Sequence, residues 1–159
     1  MKTETNFTSD SPQVIAPPPL IYLSGLAVGI TLDLLNPLPF TPDNLALPLG
    51  AALIVISIIL VVIAIRAFIR AKTNIDVRKP TTSIVSTGPY RFTRNPIYLS
   101  MTLFTIGIAI WMNTLWIFIT LIPVLLEIQF GVIAREEAYL TKKFGKEYLH
   151  YKSKMRRWL

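Results

Sequence analysis

The sequence predicts an all-α, polytopic membrane protein, and three observations carry that prediction. Of the 159 residues, 52% are hydrophobic and only 16% are charged. The apolar residues fall in blocks, and a block of roughly 20 such residues crosses a hydrocarbon core about 30 Å thick. Apart from Lys2, the basic residues run from Arg66, at the end of the second block, to Arg94, before the third, and then through the C-terminal tail.

Residues 1–19 read as a cytoplasmic tail and 20–159 as a single membrane domain. Residues 2–13 are polar with one lysine, and the first apolar run begins only after Pro17, Pro18 and Pro19. That is a poor match to a cleaved leader, so the run is expected to be a retained span. This first block, 20–35, contains Gly25 and Gly29 and ends at Asn36-Pro37. The second, 47–69, is rich in Ile and Val, with Pro48 where a first helical turn tolerates it. β-Branched residues are no objection in lipid, where each segment must satisfy its own backbone. The third block, 97–112, follows Pro96, and the fourth, 115–134, carries Pro123 as an expected kink. Asn113 and Thr114 alone separate these two, so about four transmembrane helices are expected, the last two as a tight hairpin. Trp111 and Trp116 flank that turn, where an interfacial aromatic belt belongs.

The tail 135–159 is a different material, a cytoplasmic helical segment. Arg135 to Lys143 extends the fourth span, Phe144-Gly145 breaks it, and Lys146 to Lys154 forms a second short helix. Leu140, Phe144, Tyr148, Tyr151 and Met155 recur every three or four residues as an apolar stripe between lysines. Such a helix lies at an interface or docks.

Charge assigns the sides. Arg66, Arg70, Lys72, Arg78, Lys79, Arg91 and Arg94 lie near the loop between the second and third blocks, and eight further cations follow the fourth block. The loops at 36–46 and 113–114 hold none. Basic residues stay on the cytoplasmic side, so both termini are expected there, in a prokaryotic inner membrane. The same placement explains the formal charge of +7 without nucleic acid. With no cysteine there is no disulfide, thiolate nucleophile or iron–sulfur cluster, and the single histidine, His150, argues against a zinc site. No metal is expected.

Chemistry concentrates in two places. In Thr82 to Tyr98, Gly88-Pro89 forces a turn, Pro96 opens a span, and two arginines and two tyrosines meet at a membrane entrance. An interfacial anchor and a ligand site both fit that pattern. The second place is Arg135-Glu136-Glu137, where adjacent carboxylates close to the end of a span are either a solvated face or a binding pair. Glu127, about two turns inside the fourth span, is an intramembrane carboxylate and hence a functional candidate.

The order of these pieces resembles the isoprenylcysteine carboxyl methyltransferase family, a grouping that includes phospholipid methyltransferase-like membrane proteins. The resemblance rests on Gly88-Pro89-Tyr90, Arg94-Asn95-Pro96-Ile97-Tyr98, the hairpin, Glu136-Glu137, and Phe144-Gly145 with Tyr148 and Tyr151. It implies methyl transfer from S-adenosylmethionine to a lipophilic acceptor: an isoprenoid or prenylcysteine carboxylate, or a lipid amine. It places cofactor contacts on Thr82, Ser83, Ile84, Val85, Tyr90, Asn95, Pro96, Ile97, Tyr98 and Glu136. Glu136 would meet the donor's ammonium, and tyrosine rings its adenine or sulfonium. Arg91 and Arg94 would orient an anionic substrate group. Glu127, Glu137 and Arg135 are the catalytic candidates, the two carboxylates as bases for an acceptor that must lose a proton. This chain departs from the family pattern at Asn95, usually histidine, and at Val132, where the eukaryotic enzymes carry a substrate arginine. Asn95 keeps a donor and an acceptor but cannot titrate near neutral pH. Two other readings share the topology: an NADPH-dependent membrane reductase of the sterol type, and a non-enzymatic membrane partner protein.

Overall fold

The computed structural model describes residues 10–77 and 79–159; Lys2 and Arg78, counted above among the basic residues, lie outside it. The described residues form helices joined by loops, without a strand. Helix α1 is Pro18–Leu35, α2 Asp43–Arg70, α3 Pro96–Trp111, α4 Leu115–Glu127, α5 Ala134–Phe144 and α6 Lys146–Lys154. A 3-10 turn, Gly88–Arg91, precedes α3, and a π-helical turn, Ile128–Ile133, joins α4 to α5 without a break.

Three helices are long and apolar enough to cross a membrane: Pro18–Leu35, Asp43–Arg70 and the continuous run Leu115–Phe144. Helix α3 is apolar but has only 16 residues, roughly 24 Å at 1.5 Å each. The run from Leu115 has 30 residues, about 45 Å, so its α5 portion extends past a 30 Å core. Two local readings change. Helix α2 begins at Asp43, which leaves Pro48 inside the helix rather than in its first turn. The fourth span also carries a π turn at 128–133, beyond the α segment that contains Pro123, which the sequence did not suggest.

The outward face of α2 carries Val55, Ile56, Ile59, Val62 and Ile63, all exposed. An apolar face this long on a chain without other cover belongs against lipid. Inside the bundle α2 packs chiefly on α3, and α1 on α4. Lipid is as apolar as leucine, so close packing rather than the hydrophobic effect joins such helices. At Gly50 the approach is extreme: a Cβ there would meet Trp111 N at 2.5 Å and Gly107 O at 2.7 Å.

At one end Asn113 clamps the hairpin to the 36–42 loop. Its Oδ1 accepts from Phe40 N at 3.0 Å and Thr41 N at 2.7 Å, and its Nδ2 donates to Thr41 O at 2.8 Å. The opposite end gathers the start of α1, the end of α2, the start of α3 and all of α5 and α6. That end holds the described basic residues and the cavity described next.

Candidate functional site

A cavity of about 510 Å³ opens there, bounded by the loop 74–85, the 3-10 turn, the first turns of α3, α5, α6 and the proline-rich segment before α1. This is the size of a small-molecule site. Ser83, Ile84, Val85, Tyr90, Asn95, Ile97, Tyr98 and Glu136 all line it, together with Arg94 and Glu137. Thr82 and Pro96 do not. Thr82 ties the loop to α2, its Oγ1 donating to Lys72 O at 3.1 Å and its N–H to Thr73 Oγ1 at 2.9 Å. Pro96 is fully buried in the first turn of α3.

Short local contacts hold the walls. Gly88 takes φ +60°, the left-handed region glycine tolerates, and turns the chain so that Tyr90 points inward and is 5% exposed. Tyr90 stacks edge-on against Phe68 at 5.4 Å, and its carbonyl accepts from Tyr151 Oη at 2.9 Å. Ser83 Oγ donates to Ala71 O at 3.0 Å. Asn95 Nδ2 donates to Arg157 O at 2.8 Å, so one half of the carboxamide anchors the C-terminal tail.

The two adjacent carboxylates differ in their surroundings. Glu136 Oε1 accepts from Tyr98 Oη at 2.7 Å, and among the described residues no cation pairs with it. Glu137 is saturated. Arg157 donates to both its oxygens, at 3.0 and 2.7 Å, Lys152 lies at 3.0 Å and Arg94 at 3.2 Å. With Glu137 only 6% exposed, the solvated-face reading does not hold for it. Three tyrosines complete the electrostatics. Burial pushes the Tyr148 hydroxyl up to about 12, with the Glu137 charge adding to it. Burial likewise raises Tyr90 and Tyr151 well above the ordinary phenol value. All three are neutral at physiological pH.

The remaining candidates stand elsewhere. Glu127 is exposed on the fourth helical run and does not line the cavity. Arg135 is exposed, and its Nη1 donates to Gln13 O at 2.8 Å. Arg91 is exposed at the end of the 3-10 turn. Conversely, the cavity draws on residues outside those named as contacts. Leu140, Tyr148 and Tyr151 belong to the apolar stripe of the tail, so that stripe docks on the site. Pro12, Pro17, Pro18 and Pro19 form a strap across one side, for which composition held no signal beyond the proline run. Tyr139 Oη joins the walls: it donates to Asp10 Oδ1 at 2.9 Å and accepts from Thr81 N at 3.2 Å. Among the described residues no three acidic or histidine side chains gather as a metal site.

A family model described as phospholipid methyltransferase matches residues 45–147. The chain belongs to that family. The match runs from α2 into the start of α6, so it contains the loop, the 3-10 turn, α3 and both glutamates, and leaves out the proline strap and the last residues of the tail. An uncharacterized protein of Haemophilus influenzae is 43% identical over 63 residues, which is 40% of this chain and all of that protein. No solved structure matches. Membership of the phospholipid methyltransferase family carries a coarse function, methyl transfer to a lipid-related acceptor, and the three long apolar helices make the chain a membrane protein.

Proposed function

We propose that this phospholipid methyltransferase family member uses S-adenosylmethionine as donor, held in the cavity, and methylates a lipophilic acceptor at the cytoplasmic face of a prokaryotic inner membrane. The acceptor is a lipid amine or an isoprenoid or prenylcysteine carboxylate. The observation that carries the reading is Glu136: a carboxylate inside a ligand-sized cavity, oriented by Tyr98 and unpaired with any cation among the described residues. A carboxylate so placed calls for a cation from the ligand, and the donor offers an ammonium. The orientation follows from the basic residues at the cavity end of the bundle.

When bound, S-adenosylmethionine would supply an activated methyl group, with S-adenosylhomocysteine as the leaving group. The chain's own part is positioning, which by itself supplies much of such a rate. Glu136, fixed by the Tyr98 hydroxyl, holds the ammonium. Tyr90, Tyr148 and Tyr151 offer aromatic faces and neutral hydroxyls, while Ser83, Ile84, Val85 and Ile97 form the less polar wall. Glu137, carrying three cations, is a poor proton acceptor and serves to hold the tail. Glu127 and Arg135 stand away from the cavity, so neither is given a chemical step.

The reading is tested by incubating the purified protein, reconstituted in lipid, with methyl-labelled S-adenosylmethionine. Label should enter the lipid phase, and Glu136→Gln should abolish transfer. A folded protein that labels no lipid from a broad bacterial lipid extract would discard the acceptor class.

A further inference from the structure

The two faces of α5 border different spaces. Glu136, Tyr139 and Leu140 face the cavity. Ala134, Ala138, Thr141 and Lys142 instead border an open hollow of about 560 Å³, bounded also by Lys152 of α6 and by Arg157. Glu137 is the one carboxylate among the residues lining it, and its single charge is shared by Arg157, Lys152 and Arg94. Lys142 has no ion pair among the described residues. The hollow therefore keeps an excess of positive charge. Glu137 engages only some of the N–H groups of Lys152 and Arg157. Donors are left over on both side chains, which are 38% and 34% exposed.

Helix length sets the depth of this hollow. Ala134 stands about 28 Å along the helical run from Leu115, close to the edge of a hydrocarbon core about 30 Å thick. From Ala134 to Lys142 the helix climbs about 12 Å more, through a headgroup layer about 5–8 Å deep. The small side chains of Ala134 and Ala138 thus lie at the level where acyl chains end, and Lys142 and its companions at the level of phosphates. Basic pockets at this depth beside membrane helices take anionic headgroups.

We infer that this hollow binds the phosphate headgroup of an anionic phospholipid, at a place separate from the cavity. The phosphate bridges Lys142 on α5 to Lys152 and Arg157, and so ties α5 to the segment that brings Tyr148 and Tyr151 to the cavity wall. A lipid of net negative charge is preferred to a zwitterionic one, because the only carboxylate of the hollow already carries its cations and has none of its charge left for a headgroup ammonium.

The test is equilibrium binding of fluorescent phosphatidylglycerol to the full-length protein in detergent, beside phosphatidylcholine with the same chains and label. Inorganic phosphate is added in large excess as competitor, with chloride at matched ionic strength as control. The wild type should bind phosphatidylglycerol saturably and about tenfold or more tighter than phosphatidylcholine, and free phosphate should leave most of it bound. Lys142→Gln with Lys152→Gln should weaken that binding about tenfold or more. Lys146→Gln with Lys154→Gln removes the same charge from exposed positions outside the hollow and should change it by no more than about twofold. Should the first pair fail to fold, Lys142→Gln alone breaks no described ion pair and should still cost about fivefold. Equal losses from both pairs would reduce the effect to diffuse surface charge and overturn the inference. So would equal affinity for the two lipids, full displacement by free phosphate, or a folded Lys142→Gln with wild-type affinity.

Discussion

Glu136 and Glu137 are neighbours in sequence with opposite duties. Among the described residues no cation pairs with the first, which accepts from Tyr98 Oη at 2.7 Å; the second is the hub of the tail. Removing the hub charge should therefore be a stability event. Glu137→Gln leaves Arg94, Lys152 and Arg157 without their shared anion, and breaking a buried pair costs about 3–5 kcal/mol. A lowered thermal midpoint in detergent checks this; an unchanged midpoint would show that the cluster is not structural. Tyr98→Phe removes the Tyr98 Oη–Glu136 hydrogen bond and should cost about 1–3 kcal/mol, read as weaker donor affinity with the fold retained. The candidate residues themselves were legible, because tyrosine, arginine and glutamate stand out at the edge of apolar blocks. Their pairing was not. Tyr98 and Glu136 are 38 positions apart, and nothing in spacing says that one carboxylate would be saturated and the other bare.

At the scale of elements, the proline strap and the C-terminal tail close the site from two sides. Asp10 latches the strap to α5, with Lys143 Nζ at 2.7 Å and Tyr139 Oη at 2.9 Å. The hydrogen bond from Lys143, then that from Tyr139, holds the Asp10 carboxyl below its ordinary 3.8. A depressed carboxylate contributes fully above its unfolded value and loses its contribution as pH falls through the folded one. The latch is thus intact at neutral pH and opens only below about pH 4. Asp10→Asn should open it at pH 7, seen as faster release of bound donor in stopped flow; a release rate matching wild type would deny the strap any role in closure. Helix contacts give a third prediction. Gly50→Ala drives a Cβ into the α3 backbone, an overpacking of about 1–3 kcal/mol, measurable as a lower unfolding midpoint. Element types followed from hydropathy and from Gly145, whose φ of +53° divides α5 from α6. The π turn did not follow, since Ile128–Ile133 reads as ordinary apolar helix and only its buried packing, with Ile15 N–H donating to Gly131 O at 3.3 Å, distinguishes it.

For the whole molecule, the all-α membrane architecture was readable because apolar blocks and basic loops are one-dimensional signals that survive folding. The cavity is a property of three-dimensional assembly. It needs a loop after α2, two turns of α3, two helices beyond the fourth apolar run and a strap from the other end of the chain, and the strap lies outside the stretch that matches the family. Family membership gives methyl transfer to a lipid-related acceptor; the proposed place of the donor rests on the carboxylate of Glu136. Equilibrium binding of S-adenosylmethionine to the detergent-purified protein, with NADPH as competitor and Glu136→Gln alongside, tests this most directly. Saturable binding that NADPH does not displace, weakened at least about tenfold by Glu136→Gln, is the predicted result. Binding of NADPH alone, or of S-adenosylmethionine with full affinity to Glu136→Gln, would contradict it.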